Sequence, residues 1–205
     1  MITTIEDFYQ QAEHYVNSFN SFAAKHQLEA ITKADHICYK CDSAASFEAI
    51  KKVFEANSDY IYQSIIAERR ISYIKLKQGI ETVLGTIYFL ELSDQKPNGS
   101  QTNSFDHIEI YPTTITYDEL VEKLKTAGEA VIEKIRPHHS THDIDISDDF
   151  LLRLTHEPLV EKIKRDEMIW LHSSPTSAKL RSRSLPTKAI QPRKGVSWIF
   201  IQIRK

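Results

Sequence analysis

Cysteine, long apolar runs and an excess of positive charge are all scarce in this chain of 205 residues. Its two cysteines cannot form the disulfide framework of a small secreted protein. No apolar stretch approaches the roughly 20 residues that a membrane-spanning helix needs, and the early acidic residues do not resemble a secretory signal. The net charge of −2 disfavours a dedicated nucleic-acid binder, whose domains are usually basic. We therefore expect a cytoplasmic protein with no membrane partner.

The composition is that of an ordinary globular protein, with 41% hydrophobic and 26% charged residues. The length suffices for one domain, or for two small fused units, with a proper core. Residues 168–205 stand apart, because they contain no Asp or Glu but many Lys and Arg. Such a basic extension can contact a phosphate backbone, but it is more often a solvated terminus, so we do not expect a nucleic-acid partner. Its segment 196–203 could add an edge strand.

A short pattern occurs twice, as Asp35-His36-Ile37 and as Asp106-His107-Ile108, and the second copy continues as Glu109-Ile110-Tyr111. This alternation of polar and apolar residues is typical of a β-strand. Because strand side chains alternate between two faces, the isoleucines face a core, and His107, Glu109 and Tyr111 face the other side. A polar face of this kind is costly to bury dry, so it is either surface or the wall of a polar cavity. The repeat favours a cavity and indicates a duplicated module.

The apolar patterns group into two similar units, each with the order strand, helix, strand, strand, strand. A polar linker separates them at 93–104, and a turn is expected at Gln78-Gly79. In the first unit we expect strands at 34–41, 60–67, 71–76 and 82–92, with a helix after Ser43. In the second unit we expect strands at 106–111, 130–135, 142–146 and 150–156, with a helix after Thr116 and another at 158–167. A helix over 4–24, begun by a capping box of Thr3 and Glu6, precedes both units. The prediction is an α+β fold with an N-terminal helix (1–30), two βαβββ modules (31–95 and 104–167) and the basic extension (168–205).

This arrangement resembles the vicinal oxygen chelate superfamily, which includes glyoxalase I, extradiol dioxygenases and bleomycin-resistance proteins, and within it the YecM-like family. The resemblance covers residues 5–167 and rests on Ala34-Asp35-His36-Ile37, Phe89-Leu90-Glu91-Leu92, Asp106-His107-Ile108-Glu109-Ile110 and Leu154-Thr155-His156. It implies that the two modules form a curved mixed sheet around a central cavity. It also implies a divalent metal held by the first and last strands of each module.

The ligands implied by this resemblance are His36, Glu91, His107 and His156. The last strand of the second module should supply a carboxylate in the glyoxalase pattern, but here it offers His156 with Glu157 beside it. The fourth ligand is therefore either of these two residues. Imidazoles combined with one carboxylate suit Zn, Ni, Mn or Fe(II) and do not choose among them.

The positions of Glu91 and His156 also favour a metal on physical grounds, because each is the polar end of an otherwise apolar stripe. Those stripes are Ile87 and Phe89, and Phe150, Leu152 and Leu154. A charged glutamate in such a setting needs a partner, and a divalent cation is one. Glu91, Glu109 or Glu157 could move a proton as a base. Glu109 could instead line the pocket or pair with Lys40, and we favour a supporting role over a ligand role for it.

Three classes of function follow from these observations. The first is a metal-binding protein that acts on a small oxygen-rich molecule as an isomerase, lyase or dioxygenase. The second is a metal-free protein of the same fold that sequesters a small ligand. The third, less favoured, is a regulatory module that uses the basic extension to contact nucleic acid or an acidic partner. A small-molecule ligand is the expected partner, and a homodimer stays an open alternative. Cys38 and Cys41 are assigned to burial, since strand positions three apart face opposite sides.

Overall fold

The computed structural model describes residues 1–66, 68–135 and 140–164, so the basic extension and its candidate edge strand lie outside the described part. The elements are α1 (Ile5–Lys25), β1 (Thr32–Lys40), α2 (Ala44–Asn57), β2 (Ser58–Ile66), β3 (Arg69–Ile80), β4 (Ile87–Ser93), β5 (Ser104–Pro112), α3 (Tyr117–Thr126), β6 (Ile132–Ile135), β7 (Ser140–Ser147) and β8 (Phe150–Leu154). Residues 159–164 are again helical. The order β-α-β-β-β thus occurs twice after α1, and the α+β class is confirmed.

Each of α1, α2 and α3 begins at a capping box, in which a hydroxyl accepts from a backbone N–H three residues on. The pairs are Thr4 with Asp7, Ser43 with Ser46, and Thr116 with Glu119. In each pair the second side chain bonds back to the cap backbone, so two helix-end donors are satisfied together. The first box lies one residue later than the sequence predicted, because the Asp7 carboxylate accepts from the backbone of both Thr3 and Thr4.

The eight described strands form one open, curved, mixed sheet in the order β2-β3-β4-β1-β5-β8-β7-β6. Within each module the first strand pairs in parallel with the last, β1 with β4 and β5 with β8. The two modules then join where β1 and β5 pair antiparallel. The first strands of both modules are therefore neighbours at the centre of the sheet.

The turn predicted at Gln78-Gly79 is wrong, because β3 continues through both residues to Ile80. The chain reverses instead at Thr82–Gly85, where Gly85 has a φ of +99° that suits glycine. Gly79 has a different purpose: a Cβ placed there would lie 2.2 Å from Thr86 Cγ2. Only glycine allows the two chain segments to approach so closely.

The helices cover one face of the sheet and form the core there. On the central strands this face carries Ile37, Tyr39, Ile108 and Ile110, all almost fully buried. Helix α1 contacts both modules, since the Phe8 ring lies 5.0 Å from Phe54 of α2 and 5.7 Å from Phe105 of β5. The alternate residues of β1 and β5 point to the opposite face, which is polar. Within the described ranges, no helix combines the length and apolarity needed to cross a membrane.

Candidate metal centre

The imidazoles of His36 and His107 meet on the polar face, at the junction of the two modules. Their ring centroids are 5.9 Å apart, with an angle of 71° between the rings. Each residue is only 1% exposed. Because β1 and β5 are antiparallel neighbours, the two copies of the Asp-His pattern face each other across one ladder.

A β-bulge lies beside each histidine. The β1–β5 pairing steps from Ala34–Ile110 to His36–Glu109, which leaves Asp35 as the extra residue of β1. The same ladder steps from Cys38–His107 to Tyr39–Phe105, which leaves Asp106 as the extra residue of β5. A bulge bends its strand and redirects side chains.

The two bulged aspartates bond to the neighbouring imidazoles. Asp35 Oδ2 lies 2.9 Å from His36 Nδ1, and Asp106 Oδ2 lies 2.7 Å from His107 Nδ1. A carboxylate that accepts from Nδ1–H fixes the neutral tautomer in which the Nε2 lone pair is available, as in metal-binding histidines. The backbone N–H of Leu159 donates to the same Asp35 oxygen at 2.9 Å and holds it in place.

The Nε2 atom of His36 is buried and has no hydrogen-bond partner among the described residues. A buried polar atom without a partner is rare and costs free energy. Glu91 Oε2 lies 3.7 Å away, and Glu109 Oε1 lies 3.9 Å from His36 Nε2 and 3.8 Å from His107 Nε2. These atoms therefore surround one point at distances beyond a hydrogen bond.

The spacing of this cluster fits a metal ion. One ligand atom each from His36, Glu91 and His107 lies within 4.8 Å of the other two. Metal–ligand bonds of about 2.0–2.2 Å place tetrahedral ligands about 3.3–3.6 Å apart, so only a small contraction is needed. Two imidazole nitrogens and a carboxylate form a donor set that divalent transition metals accept.

Arg153 occupies the position on the last strand of the second module for which the sequence predicted the ligand His156. In the first module Glu91 pairs with Cys38, two residues after His36. In the second module Arg153 pairs with Glu109, two residues after His107. Arg153 therefore holds the position that corresponds to Glu91, and a charged residue between Leu152 and Leu154 is the sequence signal that could have found it.

The structure does not bring His156 into the cluster. The residue is exposed, lies beyond the end of β8 and stacks on Tyr117 with ring centroids 3.6 Å apart. The stripe that selected His156 consists of Phe150, Leu152 and Leu154, which face the helices instead. Among the described residues, the groups with metal-ligand spacing include neither His156 nor the half-buried Glu157.

The Arg153 guanidinium is held in one orientation. Its Nε and Nη2 donate to the two carboxylate oxygens of Asp143 at 2.7 and 2.9 Å. Its Nη1 lies 3.2 Å from Nδ1 and 3.0 Å from Nε2 of His107. An atom so close to both nitrogens within the ring plane would collide with Cε1, so Nη1 lies over the ring face. The in-plane lone pair of His107 Nε2 therefore remains available.

The electrostatics favour positive charge between the imidazoles. Burial disfavours protonation of His36, but Glu109, Asp35 and Glu91 outweigh it and raise the His36 pKa to about 10. Burial would raise the pKa of Glu91, yet the nearby His36 holds it at about 2. Burial and the Arg153 charge lower the pKa of His107 below its ordinary value, which favours the neutral imidazole that a metal needs.

The charges of the cluster leave a negative excess. Its five carboxylates are Asp35, Glu91, Asp106, Glu109 and Asp143, and its three cationic side chains are Lys40, Arg153 and Lys162. With His36 protonated, as its raised pKa implies, one negative charge stays uncompensated, and a metal that displaces this proton meets an excess of two. Buried charge without a counter-charge is strongly unfavourable, and one divalent cation would balance this excess.

Comparisons with known proteins agree with this fold. The family model described as "YecM protein" matches residues 4–190. A solved structure described as "Structural Genomics, Protein EC4020" is 19% identical, covers 82% of this chain and 98% of its own, and has a TM-score of 0.61. At this identity the likeness shows a shared fold alone. No curated protein matches the chain.

Two further solved structures are fosfomycin resistance proteins. FosX from Listeria monocytogenes, complexed with Mn(II) and sulfate ion, is 20% identical over 64% of this chain and 94% of its own, with a TM-score of 0.25. FosX from Mesorhizobium loti is 9% identical over 63% and 95%, with a TM-score of 0.24.

Proposed function

Since the chain belongs to the YecM family, we propose that it is a divalent-metal-binding protein that presents the metal to a small oxygen-rich ligand. The observation that carries this proposal is the meeting of His36 and His107, each oriented by a bulged aspartate, around the partnerless Nε2 of His36. A bound cation would satisfy that nitrogen and balance the negative excess of the cluster.

In this proposal His36, Glu91 and His107 are ligands, and Glu109 replaces His156 as the fourth donor. Glu109 Oε1 lies 3.9 and 3.8 Å from the two imidazole Nε2 atoms. Its other oxygen, Oε2, accepts from Lys162 at 3.3 Å, which keeps Oε1 turned toward the histidines. This departs from the supporting role that the sequence favoured for Glu109.

The proposed centre polarises an oxygen ligand and leaves the reaction class open. A divalent cation can stabilise negative charge that develops on a carbonyl oxygen, and isomerases, lyases and dioxygenases all use it in this way. Zn, Mn, Ni and Fe(II) all accept two imidazoles and carboxylates. We also propose a cytoplasmic location, with which the two buried free thiols are compatible.

Metal analysis of three proteins tests this proposal. Wild-type protein dialysed against Zn(II), Mn(II), Ni(II) or anaerobic Fe(II) should retain about one equivalent of at least one metal, measured by mass spectrometry. The double variant His36→Ala/His107→Ala should lose it. The double variant His142→Ala/His156→Ala removes two imidazoles that lie at Tyr117, outside the cluster, and should keep it. Circular dichroism on the apo proteins checks that all fold.

A metal-free binding protein is the second candidate, and Arg153 is the observation that favours it. A permanent cation already stands over His107 where a fourth ligand would be expected. In that case the wild type would hold no stoichiometric metal under any of these dialysis conditions. Equal retention of metal by the wild type and by the His36→Ala/His107→Ala variant would also remove the proposed centre.

A further inference from the structure

The position of Arg153 makes the two halves of the centre chemically unequal. In each module the first and last strands pair in parallel. This pairing sets Glu91 opposite the residue two positions after His36, and Arg153 opposite the residue two positions after His107. On the next strand of each module, Tyr73 pairs with Glu91 and Asp143 pairs with Arg153, so Tyr73 and Asp143 hold equivalent positions. The last strand of the first module therefore contributes a carboxylate to the centre, and the last strand of the second contributes a cation, whose counter-charge Asp143 lies on the neighbouring strand β7.

The guanidinium is built in a way that leaves one nitrogen for a ligand. Asp143 takes Nε and Nη2 in a two-point bond, which fixes the plane of the group. Nη1 takes no part in this bond, and it lies over the His107 ring at 3.0 Å from Nε2. The Arg153 side chain is only 12% exposed, so water screens its charge weakly.

An ion pair with Asp143 alone does not explain the position of Arg153 Nη1 next to His107. Arg153 needs only Asp143 to balance its charge, and the two-point bond with Asp143 makes no use of Nη1. Nη1 lies instead 3.0 Å from His107 Nε2, the nitrogen that would hold an ion bound at His36, Glu91 and His107. A second cation, Lys162 Nζ, lies 3.3 Å from Glu109 Oε2.

We propose that Arg153 binds the anionic oxygen of a small carboxylate-type ligand whose second oxygen occupies an open position on the metal. This inference rests on the proposed function and adds the ligand's chemical class to it: a compact anion with two neighbouring oxygens. Arginine suits this task because it stays charged and its planar fork is held in place before the ligand arrives.

Oxalate and imidazole are the probes that test it on Co(II)-loaded protein. Oxalate offers an anionic pair of oxygens, whereas imidazole is a neutral ligand that needs only the metal. Visible absorption of Co(II) reports the binding of both probes, and gel filtration followed by metal analysis shows that Co(II) stays on the protein. The variant Arg153→Gln/Asp143→Asn removes the cation and its partner together, so no buried charge is left unpaired.

The expected result is a selective loss. Oxalate should bind the double variant about tenfold to hundredfold more weakly, the effect of removing one charged hydrogen bond, while imidazole affinity stays within about twofold. The single variant Arg153→Lys keeps the charge without the fork and should give an intermediate oxalate affinity. The matched control is Arg70→Gln/Asp94→Asn, which removes a similar pair outside the cluster, with its own 2.7 Å bond, and should leave both affinities unchanged.

The outcomes separate this inference from the proposed function. If every variant retains Co(II) and the Arg153→Gln/Asp143→Asn protein binds oxalate as tightly as the wild type, Arg153 is not the anion site, although the metal centre stands. An equal loss of imidazole and oxalate affinity would mean general damage to the centre and would likewise overturn the assignment. A wild type that takes up neither Co(II) nor any of Zn(II), Mn(II), Ni(II) and Fe(II) would remove the proposed function and this inference together.

Discussion

At the residue scale, the smallest unit of the centre is an aspartate bonded to the next residue's imidazole. On a regular strand Asp35 and His36 would point to opposite faces. The bulge in β1 brings them to one side, and the bulge at Asp106 does the same for His107. Two such bulges in one ladder, each at the same point of its module, indicate that the arrangement belongs to the duplicated design.

We expect Asp35→Asn and Asp106→Asn each to weaken metal binding about tenfold to hundredfold, the usual cost of losing a carboxylate that orients a metal-bound histidine. An amide can still accept from Nδ1–H, but it lacks the charge that makes Nε2 a stronger donor to the metal. Competition with a chelating dye measures the affinity. Asp145→Asn, an exposed change on β7, is the control. Wild-type affinity in both site variants would show that these aspartates support the strands only.

Part of this site could be predicted from the sequence. The repeated Asp-His pattern pointed to His36 and His107, and the resemblance pointed to Glu91. The aspartates were not assigned a role, because alternation on an ideal strand places them away from the histidines and a bulge leaves no clear signal in residue types. Arg153 was missed because its neighbours Leu152 and Leu154 belong to an apolar stripe whose polar end in the sequence is His156.

At the element scale, the close approach of β3 to the segment before β4 depends on Gly79. We expect Gly79→Ala to lower the free energy of unfolding by about 1–3 kcal/mol, since the added methyl group would lie 2.2 Å from Thr86 Cγ2 and 2.9 Å from Tyr88 Cε1. Urea denaturation followed by circular dichroism measures the change.

A second substitution isolates the cause of that loss. Thr86→Ser removes Cγ2 but keeps the hydroxyl that donates to Glu81 at 3.0 Å. The double variant Gly79→Ala/Thr86→Ser should therefore recover part of the lost stability, and a double-mutant cycle gives the coupling. Strict additivity of the two changes would mean that the contact with Thr86 does not limit residue 79.

At the scale of the whole molecule, hydrophobic periodicity predicted the α+β class and the order of elements in both modules. It could not show how the modules join. Strand pairing between β1 and β5 links residues about 70 positions apart. Two four-stranded modules could also pair through other edge strands and bury their apolar faces equally well. Only the folded chain shows that the first strands pair and so bring His36 of one module beside His107 of the other.

This joint, together with α1, should make the described part of the molecule unfold as one unit. Phe8 contacts Phe54 of the first module and Phe105 of the second, and Tyr15 lies 4.8 Å from Phe150 of β8. We expect Phe8→Ala to lower the free energy of unfolding by about 3–5 kcal/mol, the usual cost of truncating a buried phenylalanine. The loss should appear equally in both modules, because neither keeps its core when α1 loosens.

Hydrogen exchange followed by mass spectrometry distinguishes one cooperative unit from two, because it reports the opening of each module separately. Leu124→Ala is the matched change: it empties a buried position of α3, within the second module alone. In a single cooperative unit, peptides from β1 and β4 of the first module lose as much protection as peptides from β5 and β8. If the first module keeps its wild-type protection in Leu124→Ala, the halves unfold independently, and a site built from both would open whenever either one did.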